Sequence, residues 1–86
     1  MEHIFKLIPG NNKTDNCYFS KFNRLRITNS SNVILNIFLV NALNGNQISS
    51  SIISGKTKVF SVGEYSFVYV EHPEIKSEIY IKLIFE

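Results

Sequence analysis

Cys17, His3 and His72 are the residues of this 86-residue chain that could together make a nucleophile and its base. A cysteine attacks as the thiolate, so it needs a nearby imidazole or a helix N-terminus to ionise at neutral pH. Nothing in the sequence brings the three together, and no glycine-rich elbow or oxyanion-hole pattern surrounds Cys17. The residue reads as a small, partly buried thiol, and no catalytic residue is assigned. Metal binding needs three or four ligands at workable spacing. Two isolated histidines, one cysteine and one aspartate supply no CxxC, HxH or Asp-rich loop, and the acidic group Glu71, His72, Glu74 and Glu78 around Pro73 reads as a solvated turn. No cofactor or metal is expected. Gly10, Gly45, Gly55 and Gly63 are scattered singly, so no loop is built to cradle a phosphate.

The segment Tyr18-Phe-Ser-Lys-Phe-Asn-Arg-Leu-Arg26 interleaves aromatic and cationic residues. A strand of this kind can offer stacking platforms and phosphate contacts to a single-stranded nucleic acid, through Tyr18, Lys21, Phe22, Arg24 and Arg26. This is the alternative functional reading. Tyr65 and Tyr69 have the rings to stack on a sugar, but the chain contains no Trp, and core packing with the hydroxyls at the rim is the expectation.

These residues are positioned by strands. Ile, Val, Phe, Tyr and Thr fill the intervals between closely spaced turn signals, the mark of an all-β domain. Glu2 to Ile8 forms a first strand, stopped by Pro9-Gly10-Asn11-Asn12. Cys17 to Thr28 reads as one long second strand. Its alternation changes phase near Phe22-Asn23, because Tyr18 and Phe22 share one parity and Leu25 and Ile27 the other, and a bulge there would explain the slip. Val33 to Val40 follows the turn at 28–32. Asn44-Gly45 predicts a two-residue type I′ hairpin into Gln47 to Ile53, with Ile48 and Ile52 inward. Lys56 to Val62 carries two lysines and reads as an edge. Glu64 to Glu71 and Ser77 to the chain end complete about seven strands, separated by His72-Pro73, where proline cannot pair. The predicted fold is a small antiparallel β-sandwich, Ig-like or jelly-roll-like, in one domain over residues 1–86. The alternative is a five-stranded OB-type barrel.

Two runs break the polar–apolar alternation of a half-buried strand. Val33-Ile-Leu-Asn-Ile-Phe-Leu-Val40 and Ile79-Tyr-Ile-Lys-Leu-Ile-Phe85 are apolar on nearly every residue, so both faces of each strand need cover. One parity, Val33, Leu35, Ile37 and Leu39 with Ile79, Ile81, Leu83 and Phe85, forms the core. The other, Ile34, Phe38 and Val40 with Tyr80 and Ile84, is the expected interface, since such side chains left wet would make an aggregation-prone patch. Cover comes from another copy of the chain, from another protein, or internally from the Asn-rich loop after Pro9 or the N-terminal strand. The functional expectation is a non-enzymatic protein–protein interaction module, a structural or adaptor subunit or an inhibitor, that self-assembles.

Composition narrows the field further. A domain of this size buries about 60 to 65 per cent of the surface its unfolded chain exposes, so the core is modest. The chain is 44% hydrophobic and 19% charged, which excludes disorder. Its net charge of +2 is too small for binding nucleic acid by massed electrostatics. Through Leu43 five Lys and Arg face two acidic residues, and from Asn44 four face five. Such an imbalance of exposed charge carries little energy. The single cysteine rules out an intrachain disulfide, and the first residues lack a basic stretch leading into a long apolar run. No segment reaches the roughly 18 apolar residues of a membrane span. These features predict a soluble, cytoplasmic protein, and the Ile-, Asn- and Lys-rich usage suggests an AT-rich bacterial, phage or viral genome. Asn12-Lys-Thr14 and Asn29-Ser-Ser31 match the glycosylation pattern but read as turns.

Overall fold

The computed structural model describes every residue from Met1 to Glu86 and contains eight strands and no helix. They are β1 (Glu2–Leu7), β2 (Cys17–Tyr18), β3 (Arg24–Thr28), β4 (Leu35–Val40), β5 (Gln47–Ile52), β6 (Thr57–Ser61), β7 (Phe67–Glu71) and β8 (Ile79–Phe85). Every pairing is antiparallel. The strands form two four-stranded sheets, ordered β1-β8-β3-β6 and β2-β7-β4-β5.

The order follows from one nested ribbon. Strand β1 pairs with β8, β2 with β7, β3 with β6 and β4 with β5, as if the chain were folded once at the β4–β5 hairpin. Rolling that ribbon up brings β8 beside β3 and β7 beside β4. This is the connectivity of a jelly roll, which resolves the choice between the sandwich types. Two separate sheets exclude the five-stranded barrel.

Between the sheets lies a contiguous core of 18 buried residues, among them Leu35, Ile37, Leu39, Ile81, Leu83 and Phe85. The predicted core parity of both doubly apolar runs is therefore correct, with Val33 and Ile79 half-buried at its margin. Both runs are central strands, β8 between β1 and β3, and β4 between β7 and β5. A central strand has neighbours on both sides, and their side chains shield its outward residues. Phe38, Val40 and Ile84 are accordingly half-buried without any partner chain. The double apolarity thus records central position as well as any need for external cover.

The long second strand does not exist as one strand. Residues Phe19 to Asn23 carry the chain from one sheet to the other, and Lys21 adopts a left-handed conformation with φ of 65° at the crossing. The phase slip is real, but a change of sheet causes it and no bulge is involved, which raises the strand number from seven to eight. Phe19 and Phe22 turn inward there, with ring centroids 4.7 and 5.5 Å from that of Phe85.

The hairpin at Asn44-Gly45 joins antiparallel neighbours as predicted, but only Gly45 has positive φ, at 75°. The loop is longer than a type I′ turn. Gly45 N–H donates to Asn41 O at 2.9 Å, and Asn41 Oδ1 accepts from Leu43 N–H at 2.9 Å. An asparagine side chain thus supplies the turn that a second left-handed residue would otherwise have made. Strand β6 is an edge, as its lysines suggested. Ile52 is fully buried, whereas Ile48 has the inward parity but lies at the open margin of the sheet, 43% exposed.

Candidate functional site

The sheets' two outer faces differ in chemistry. On the β1-β8-β3-β6 sheet, register sets Glu2 beside Ile84 and Ile84 beside Arg26, with Ile4 beside Lys82. Ion pairs join Lys6 to Glu78 at 3.3 Å, Arg26 to Glu86 at 2.9 Å and Lys82 to Glu2 at 3.8 Å. Ile84, flanked by Glu2 and Arg26, is half-buried, as expected where long charged side chains stand beside an apolar one. This is a solvated face on which the exposed Ile4, Tyr80 and Val59 each stand beside a cationic side chain, Lys82, Lys6 and Arg26 in turn.

The opposite face is aromatic. Strand alternation places Val68 and Val70 in the core and turns Phe67 and Tyr69 outward. Tyr18 lies beside Phe67, with ring centroids 5.1 Å apart. Phe38 lies beside Tyr69 at 4.8 Å with the rings nearly parallel. The rows continue through Val40 to Gln47, and through Phe38 to Ser49. Ile34 extends the patch at one end, 51% exposed, and Tyr18 at the other, 66% exposed. Charge appears only where Lys13 and Glu71 close the far end. Lys13 Nζ stands 4.1 Å from the centre of the Tyr69 ring. The loop after Pro9 therefore supplies part of the internal cover that the sequence left open, since a cation over an aromatic face is attracted by its quadrupole.

Of the five predicted interface residues, Ile34, Phe38 and Val40 share this aromatic face. Tyr80 and Ile84 lie on the other sheet and belong to no common surface with them. The aromatic residues Tyr18, Phe67 and Tyr69 also lie on this face, and the expected set did not include them. A signal for part of this face was present in the sequence: no ionisable side chain occurs from Ile27 to Gly55, the segment that forms β4 and β5.

The nucleic-acid set is divided. Tyr18 is on the aromatic face, Phe22 packs against the core, Lys21 sits in the crossing, and Arg24 and Arg26 are on the opposite sheet, with Arg26 engaged by Glu86. No single strand could contact all five, because the long strand that aligned them is two strands in different sheets. Tyr65 packs against the core as expected, whereas Tyr69 faces outward.

Cys17 is buried and unpaired, and burial pushes its thiol above the ordinary value of 9.0. It lies opposite Val68, four residues before His72, or about 13 Å along the strand. His3 lies opposite Leu83 in the other sheet. The geometry keeps the thiol apart from both imidazoles. No group of three or more His, Cys, Asp or Glu side chains converges to hold a metal ion, and Glu78 of the acidic turn is taken by Lys6.

At the Pro73 end of the aromatic face a shallow depression is lined by Asn12, Lys13, Asn36, Ser51, Glu71 and His72. Ser51 Oγ donates to Asn36 Oδ1 at 2.7 Å. His72 is buried, with Nδ1 2.8 Å from Pro73 O and Nε2 lacking a partner. Asn29 of the second glycosylation pattern is fully buried, so it serves the fold as a turn residue.

No helix is long and apolar enough to cross a membrane. Searches with protein-family models, among curated proteins and among solved structures find no match for this chain.

Proposed function

We propose that this protein is a non-enzymatic contact module, a structural or adaptor subunit or a protein inhibitor acting in the cytoplasm, and that it binds through the outer face of the β2-β7-β4-β5 sheet. The contrast between the two outer faces carries this reading. One face holds three ion pairs, and its exposed apolar residues Ile4, Tyr80 and Val59 are each flanked by a cation. The other presents Tyr18, Phe67, Tyr69, Phe38, Val40 and Ile34 with neutral Gln47, Ser49, Asn36 and Ser51 beside them. Aromatic enrichment with charge kept to the rim is the composition of a protein–protein contact surface. Burying such a patch would gain about 25 cal/mol for each Å² of apolar area removed from water. Self-association is part of the proposal as well, by contacts outside this face.

Purification from the source cell with its bound partner, followed by light scattering on the complex, tests this. Phe38→Asp combined with Tyr69→Ser should abolish the complex while the chain stays folded. Tyr80→Ser combined with Ile84→Ser, on the charged face, should leave it intact. Equal loss from both pairs would overturn the assignment of the face. Salt-dependent retention on a single-stranded oligonucleotide column would replace the reading with the nucleic-acid one, because phosphate binding releases counterions.

A further inference from the structure

Each sheet has two edges, and three of the four are protected against pairing. Strand β1 carries Glu2 and Lys6. Strand β6 points Lys58 inward, opposite Ile27, where its Nζ donates to Ser50 Oγ at 2.9 Å. Strand β2 is only two residues long, and the β7 edge beyond it is covered by the loop, with Thr14 N–H on Val70 O at 2.9 Å and Val70 N–H on Thr14 Oγ1 at 2.8 Å. Short strands, charges and covering loops are the devices that keep sheet edges from templating another chain. Strand β5 has none of them. It is six residues long, Gln47-Ile-Ser-Ser-Ser-Ile52, without charge or proline.

The register shows which backbone groups this edge leaves free. Asn41 N–H donates to Asn46 O at 2.8 Å, so that pair is hydrogen-bonded, and antiparallel pairs alternate. Ile48, Ser50 and Ile52 therefore bond to β4, and the N–H and C=O groups of Gln47, Ser49 and Ser51 point away from it.

We propose that β5 pairs with β5 of a second copy of this chain, antiparallel, about a twofold axis at Ser49. In this arrangement Ser49 faces its own copy, and Gln47 faces Ser51 of the partner subunit in both directions. Each of these pairs exchanges two backbone hydrogen bonds, about six in all, and every free donor and acceptor of the three residues is satisfied. Half-exposed Ile48 comes to lie opposite Ser50 of the partner subunit and loses water. Strand β5 itself brings no charge to the seam, and each Lys58 ammonium stays hydrogen-bonded to its own Ser50 on the inward side of the sheet. The result is a continuous eight-stranded sheet in which two aromatic faces become one surface. The proposal rests on the contact reading above and specifies how copies join beneath that surface.

Light scattering with concentration-dependent amide exchange tests it on the intact chain. The expected mass is twice 9.9 kDa, with the amides of Gln47, Ser49 and Ser51 slowing at least tenfold as the dimer forms. Ser49→Pro removes one outward N–H without touching the β4 ladder and should give a folded monomer. Ser49→Lys sets like charges across the axis with the backbone unchanged, and should weaken the dimer at least tenfold even if the proline variant misfolds. Phe38→Asp should leave the dimer intact. A monomer at millimolar concentration would overturn edge pairing while leaving the contact face in place. A dimer with fast amides at Ser49 and Ser51, lost in Phe38→Asp, would also overturn it and assign self-association to the face.

Discussion

Phe38 of β4 and Tyr69 of β7 stack across the strand boundary with centroids 4.8 Å apart and planes 6° from parallel. Lys13 stands over the Tyr69 ring, so cation and two rings form one layered unit on the outside of the sheet. The unit shows how a small sandwich keeps an aromatic outer face in water: each ring covers part of the next, and the loop after Pro9 caps the row.

Parity along β4 is the direct test of that arrangement. Leu35→Ala and Ile37→Ala, both in the core, should each cost about 2–5 kcal/mol in urea unfolding. Ile34→Asp should cost no more than roughly 0.5 kcal/mol, as for an ordinary surface change. Phe38→Asp should fall between, at about 1–2 kcal/mol, through loss of the ring pair and its partial burial. Unfolding of the chain by Ile34→Asp would place that residue in the core and reverse the faces.

The crossing at Lys21 stores strain. A non-glycine residue at φ of 65° sits in a region where its Cβ crowds the backbone. Glycine relieves that crowding but adds freedom to the unfolded chain. Lys21→Gly should therefore stabilise by a few tenths to about 1 kcal/mol. A thermal scan showing a fall in Tm would mean that the Lys21 side chain contributes contacts that outweigh its backbone strain.

Asn29 pins three segments together. Its Nδ2 donates to Val33 O and to Ile52 O, each at 2.8 Å, and its Oδ1 accepts from Ser31 N–H and from Ser31 Oγ. Asn29→Ala should cost roughly 2–3 kcal/mol, because buried partners are left unsatisfied. Asn29→Asp should be at least as damaging, since the two donors vanish and a charge is buried. A loss below 0.5 kcal/mol in either variant, within the ±0.5 kcal/mol of an ordinary surface change, would show that water replaces the amide.

Cys17 gives the fold an alkaline limit. Burial raises the folded-state pKa of its thiol above the ordinary 9.0, so the folded chain holds this proton more tightly than the unfolded chain does. Stability from this group is complete below the unfolded pKa and is lost as pH rises through the folded one. Chemical unfolding should show stability declining above about pH 9, and Cys17→Ser should flatten that decline. Alkylation of the native protein at pH 8 should be at least tenfold slower than of the unfolded chain.

The interior of this protein was legible in its sequence because burial follows strand alternation. Leu35, Ile37 and Leu39, and Ile81, Leu83 and Phe85, share parity within their runs, and that local pattern assigns them inward whatever the strands pair with. Pro9, Gly45 and Pro73 likewise announce turns through their own backbone limits. The candidate face was legible only in part. Ile34, Phe38 and Val40 follow from the same alternation, but Tyr18, Phe67 and Tyr69 join them only through the β2–β7 and β7–β4 registers.

The amino-acid order thus determined strand class, most turn positions and which side of β4 and β8 is dry, since these depend on residues within a few positions of one another. Tertiary structure decided that residues 17–28 divide between two sheets, that β4 and β8 are central, and that Tyr80 and Ile84 lie among ion-paired side chains on the far side from Phe38. These outcomes rest on pairings as distant as Met1 with Phe85. Alternation tells a strand which face to bury; its neighbours are chosen by the closure of the whole ribbon.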